Sequence, residues 1–123
     1  MSVANFDQHG LAVIAYAQVK ADGTTPGLNS GLVITNPANG IYQCVLPAEE
    51  DPERTLIFIQ PFIDGIIGGI MISKYAFGTA NGGPDAGRTI EVQFTNAAGV
   101  FTDHAFNLLV LRSVVPFEAD VAI

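Results

Sequence analysis

The sequence predicts an all-β protein, an antiparallel β-sandwich or jelly-roll-like barrel of roughly seven to eight strands. Three observations predict it. Short runs rich in β-branched, aromatic and aliphatic residues recur along the chain, clusters of Gly, Pro, Asn and Asp separate them, and no capped amphipathic helix is evident.

Leu11 to Lys20 (LAVIAYAQVK) reads as the first strand, with Leu11, Val13, Ala15, Ala17 and Val19 on one face and Ile14, Tyr16, Gln18 and Lys20 on the other. Ala21 to Ser30 is dense in turn residues, including Asp22-Gly23, Pro26-Gly27 and Asn29-Ser30, and must loop. Gly31 to Thr35 is a short second strand. Asn36-Pro37-Ala38-Asn39-Gly40 then reverses the chain into Ile41 to Leu46, because an Asn-Gly pair between two β-rich runs favours a tight hairpin.

Pro47 to Arg54 is a charged connection. Thr55 to Ile63 (TLIFIQPFI) is nearly continuous in apolar residues, which predicts a central strand covered on both faces, either ending at Pro61 or holding that position at a bulge or an edge. Gly65 to Phe77 is apolar enough to raise the question of a membrane helix. Gln60, Pro61, Asp64 and three nearby glycines (Gly65, Gly68, Gly69) argue instead for two short buried strands about an Asp64-Gly65 turn.

Gly78 to Arg88 (GTANGGPDAGR) predicts a long exposed loop. Thr89 to Asn96 alternates, with Ile90, Val92 and Phe94 on one side and Thr89, Glu91, Gln93 and Thr95 on the other, so one face should be wet. Asn96 to Gly99 turns the chain, and Ala105 to Ser113 (AFNLLVLRS) is the last long strand.

At 123 residues the chain is the size of one domain, here residues 1–123 with N-terminal (1–10) and C-terminal (114–123) arms, one or both expected to lie on a neighbouring subunit. Hydrophobic residues make up 49% and charged residues 14%, against about 25% charged in an average soluble domain. A domain near this size buries only about two thirds of the surface its unfolded chain exposes. Much of the apolar content would therefore face water in a monomer, and a partner surface in a permanent assembly is the economical expectation.

The formal net charge of -7 disfavours nucleic acid and anionic membranes as partners. Glu49, Glu50, Asp51 and Glu53 read as a solvated connection between strands. Cys44 is the sole cysteine, which excludes an intrachain disulfide and a Cys-rich metal or redox centre. Met1 to Gly10 has neither the basic residues nor the apolar run of a signal peptide.

The residues with chemical potential read as structural. His9 and His104 stand near Asp7 and Asp103, a pairing that would form a carboxylate-imidazole metal site if the two segments met, but both segments read as turns. Ser30 lacks a nucleophile-elbow pattern, Cys44 alternates like a small strand residue, and Asp64 has no second carboxylate to work with. Gly82 to Gly87 is followed by neither a GK[ST] signature nor a helix, and so is not a phosphate loop. With no tryptophan, and with Tyr16, Tyr42 and Tyr75 all candidates for core or interface, the signal for sugar binding is weak. We therefore expect no catalytic residues, no metal and no cofactor.

Residues Gln18 to Leu46, QVKADGTTPGLNSGLVITNPANGIYQCVL, resemble a segment recurrent in tailed-phage virion proteins, with Ala21-Asp22-Gly23 and Gly40-Ile41-Tyr42 carrying the likeness over about a quarter of the chain. TIEVQFTNAAGVFTDHAFNLLVLRS resembles the closing hairpin of the same class. The resemblance implies a non-enzymatic capsid decoration (cement) protein, a trimer or dimer that stabilises a phage head by bridging major capsid subunits. It would be made in the host cytoplasm and located on the virion surface. The alternative it implies is a tail-associated adhesin that recognises a host surface glycan, with Ala21 to Ser30 and Gly78 to Arg88 as contact loops.

Overall fold

The computed structural model describes residues 10–61, 71–77 and 88–113, the backbone alone being described for 71–77. The strands are β1 (Leu11–Val19), β2 (Val33–Ala38), β3 (Ile41–Val45), β4 (Thr55–Pro61), β5 (Met71–Phe77), β6 (Thr89–Thr95) and β7 (Phe106–Ser113). They form two antiparallel sheets, a 3-stranded one in the order β1-β7-β4 and a 4-stranded one in the order β2-β3-β6-β5. The all-β class is as expected. The only helical turn among the described residues is a 3-10 turn at Pro52–Arg54, capped by Asp51, whose Oδ1 accepts from Glu53 N at 3.0 Å. No helix among the described residues is long and apolar enough to cross a membrane.

One core draws on both sheets. Ala15, Ala17 and Val19 of β1 and Phe106, Leu108 and Val110 of β7 cluster with Tyr42 and Cys44 of β3 and Ile90, Val92 and Phe94 of β6. Its aromatic centre is three rings: Tyr42 meets Phe94 at 5.9 Å and Phe106 at 5.1 Å, both edge-to-face, and Phe94 meets Phe106 at 5.2 Å. Each such pair adds about 0.5–1.5 kcal/mol beyond its area. The Tyr42 hydroxyl is satisfied in place, donating to Ala21 O and accepting from His104 N at 3.0 Å.

Strict alternation in the first strand fails at a bulge. Val13 pairs with Leu111 and Ala15 with Val110, leaving Ile14 as the extra residue. Ile14 packs against the core with Ala15, and Val13 is displaced to the opposite face at 51% exposure. The face predicted for Leu11, Val13 and Ala15 is therefore split between two environments.

Two further expectations are exchanged. β4 is an edge strand of its sheet, and Leu56 and Phe58 are exposed, so it is not the centrally buried strand its apolar run predicted. β6 lies between β3 and β5 and buries both faces, with Thr89 and Glu91 fully buried and Thr95 at 7%, so the wet face predicted for it is absent. Glu91 accepts from Gln43 Nε2 at 3.2 Å and from Gln93 Nε2 at 2.9 Å, so a carboxylate is buried in a sheet of β-pattern residues together with amide donors.

Ala21 to Ser30 loops as expected, and its second half runs back along β1. Gln18 N donates to Leu28 O, Ser30 N to Tyr16 O and Tyr16 N to Ser30 Oγ, which covers the edge of β1 that β7 leaves open. Asn29 holds the corner, with Oδ1 accepting from Gly31 N and Leu32 N. The proposed Asp64-Gly65 turn and most of the Gly78 to Arg88 loop lie outside the described residues, as do both arms apart from Gly10.

The β2–β3 hairpin forms where Asn39-Gly40 predicts it, with Ala38 opposite Ile41. Only Gly40 adopts a positive φ (+73°), so it is not the turn type that needs two left-handed residues. A Cβ at Gly40 would lie 2.6 Å from Phe94 O and 2.7 Å from Thr102 N, because the hairpin packs directly on the β6 end and the following loop. Gly99 also has positive φ (+83°) but nothing within 4 Å. Gly40→Ala should therefore cost roughly 3 kcal/mol or more, combining backbone strain with a clash against backbone atoms, and Gly99→Ala only about 1 kcal/mol. Urea midpoints of the two variants measure the difference, and equal losses would contradict this packing.

Candidate functional site

Of the residues singled out for chemistry, Asp103, His104 and Ser30 are held by structural hydrogen bonds. Asp103 Oδ1 accepts from Gly40 N at 2.6 Å and from Asn36 Nδ2 at 3.2 Å, tying the β2–β3 hairpin to the loop before β7. The same Asn36 amide donates to Ala38 O and Ile41 O. His104 donates from Nδ1 to Ala105 O at 2.8 Å, since a carbonyl can only accept. His9 lies outside the described residues, as do Asp64 and Gly82 to Gly87. No group of His, Cys, Asp and Glu suited to a metal occurs among the described residues.

Ser30 uses its hydroxyl to accept the Tyr16 amide, and Cys44 is fully buried in the core. Burial pushes the Cys44 thiol up to about 12 from its ordinary 9.0. Asp22 is held below the ordinary carboxylate range by hydrogen bonds from the Thr24 hydroxyl and amide. Within the acidic run, Glu50 pairs with Arg112 at 3.1 Å and Asp51 caps the 3-10 turn, so part of it is structural rather than merely solvated.

The surface that stands out is apolar. β7 places Phe106, Leu108 and Val110 in the core and Leu109 and Leu111 on the opposite face. Tyr16, Leu109 and Phe58 lie in register as one cross-strand row, and Val13, Leu111 and Leu56 as the next. Exposures run from 37% at Leu109 to 52% at Phe58, with Leu111 half-buried. A third row, Gln18, Asn107 and Gln60, is polar and uncharged, with Asn107 Nδ2 donating to Gln60 Oε1 at 3.1 Å.

A groove of about 400 Å³ runs across the β4–β7 ladder, lined by Phe58, Ile59, Gln60, Asn107, Leu108 and Leu109. Isolated exposed hydrophobics are ordinary, but contiguous rows flanked by polar residues mark binding surfaces. The sequence carried a signal for this face: apolar residues occupy both parities of LIFI in β4 and LLVL in β7. It was readable as two covered faces, and this chain covers one.

No family model, curated protein or solved structure matches the chain.

A buried neutral thiol fixes two outcomes. Cys44 should resist a soluble disulfide reagent at pH 8 in the native protein and react fully once urea unfolds it. Because its native value is raised, the stabilisation it gives is complete below about pH 9 and is lost as pH rises toward about 12. Tyr42, also raised by burial, adds to that loss above pH 10. Urea midpoints should be insensitive to these groups below pH 8.5 and fall above pH 9, less steeply in Cys44→Ala.

Proposed function

We propose that this chain is a non-enzymatic structural protein of a virion, a capsid decoration or cement protein whose two sheets pack as a β-sandwich. The observation that carries the reading is the exposed apolar face of the β1-β7-β4 sheet, together with a composition poor in charge. Its exposed side chains amount to roughly 450 Å², in the range of the largest apolar patch on a typical monomer, which is often functional. Covering that area contributes on the order of 10 kcal/mol per copy before association costs, enough to hold copies of a small protein together within a larger assembly.

The resemblance of Gln18 to Leu46 to phage virion segments supplies the class of assembly. The hairpin, the edge-covering loop and the Asn36–Gly40–Asp103 cluster supply a rigid body on which to present the face. The alternative, a tail-associated adhesin for a host glycan, finds support in the open depression of about 410 Å³ formed by Lys20, Ala21, Asp22, Thr24 and Pro26.

On the cement reading the chain co-purifies with shells at fixed stoichiometry, and shells lacking it rupture at lower temperature. Protein that stays entirely in the particle-free fraction, or that binds isolated glycans and no shell, would contradict it.

A further inference from the structure

We propose that the outer face of the β1-β7-β4 sheet is where a second copy of this chain docks, the two related by a twofold axis passing close to Leu109. This deepens the assembly reading above and rests on it, naming the partner of the same face. Leu109 lies between Tyr16 and Phe58 in one row, and Leu111 lies between Val13 and Leu56 in the next. The face is therefore centred on β7, and a twofold axis through its centre gives the greatest overlap of like with like.

Charge selects a second copy over a foreign chain. The molecule carries a net charge of -7, so most approaches of two copies set like charges together. The six apolar residues and the flanking Gln18, Asn107 and Gln60 bring no carboxylate and no basic group to this face. Arg112 has the pleat parity of the core residue Val110 and is paired with Glu50. Lys20 follows the end of β1, beyond the polar row. Within the three rows the face offers no charge to attract a basic or an acidic partner, and two identical anionic molecules can meet there without juxtaposing their acids.

Size and shape agree. Two such faces bring together roughly 900 Å² of apolar surface, and the uncharged polar rows extend the contact toward the 1,200 Å² at which specific interfaces begin. An apolar centre with a polar border is the usual anatomy of such a contact. The groove beside Phe58 and Leu109 gives each copy a place to receive an aromatic or aliphatic side chain of the other, with Phe58 itself the largest candidate.

The test is sedimentation equilibrium of the full chain across micromolar concentrations, with Phe58→Lys and Val100→Lys as the paired variants. Phe58 and Val100 are similarly exposed at 52% and 58%, but Val100 lies at the β6–β7 turn, away from the face. Wild type and Val100→Lys should dimerise alike, and Phe58→Lys should weaken dimerisation roughly thirtyfold or more. Circular dichroism verifies that each variant is folded.

Leu109→Cys supplies an independent readout, because Cys44 is buried and the new thiol is the accessible one. Near a twofold axis the two thiols should be joined by a short bis-maleimide, which spans the roughly 10 Å between face-to-face sheets that a direct disulfide cannot. A monomeric wild type, or equal dimerisation of all three proteins, overturns the docking proposal. Phe58→Lys that is monomeric yet still bound by shells supports the dimer face and leaves the cement reading standing. A wild-type dimer that no shell binds supports the face and defeats the cement reading.

Discussion

The pleat of β7 is the constraint from which the arrangement follows. Successive side chains on a strand point to opposite faces, so Phe106, Leu108 and Val110 cannot enter the core without Leu109 and Leu111 pointing away from it. β7 is the central strand of its sheet and fixes the register of both neighbours, so what it turns outward they extend: Tyr16 and Val13 on one side, Phe58 and Leu56 on the other. The bulge at Ile14 completes the second row, since without the extra residue Val13 would turn into the core. A soluble monomer would place polar residues at those outward positions. This chain places leucine, valine and aromatic residues there, and the proposed assembly is the means of covering them.

The other sheet is built the opposite way. Its outward positions at Gln43, Thr89, Glu91 and Thr95 are polar in the sequence and buried in the fold, with the Glu91 carboxylate held by two glutamine amides. Gln43, Glu91 and Gln93 form a bonded network that fixes one register more strictly than an apolar face does, whereas Thr89 Oγ1 is buried without a hydrogen-bond partner among the described residues. The aromatic cluster of Tyr42, Phe94 and Phe106 joins the two sheets, and the Tyr42 hydroxyl bonds to backbone groups on either side of it.

Much of the fold was legible because local chemistry decides it. Asn39-Gly40 and Asn96 to Gly99 turn where their residues require, and β1, β3, β6 and β7 fall on the runs that predicted them. The exchange of environments between β4 and β6 was not legible, since a continuous apolar run and an alternating one give periodicity but not position in a sheet. TLIFIQP became an edge and TIEVQFT an interior strand through strand order, a non-local property. The Ile14 bulge likewise leaves no mark in LAVIAYAQV. The exposed apolar face was half legible: the low charge led to the expectation of apolar surface left in water, and the register of three strands distant in sequence shows where that surface lies.

The two faces of β7 offer the most direct measurement. Methyl resonances of Leu108 and Val110 report the core, and those of Leu109 and Leu111 report the outer face of the same strand. A soluble paramagnetic agent relaxes whichever methyls it can approach. At concentrations where the chain has associated, the account predicts that Leu109 and Leu111 are shielded nearly as well as Leu108 and Val110. Strong relaxation of Leu109, as its 37% exposure in a single chain implies, under those same conditions would contradict it.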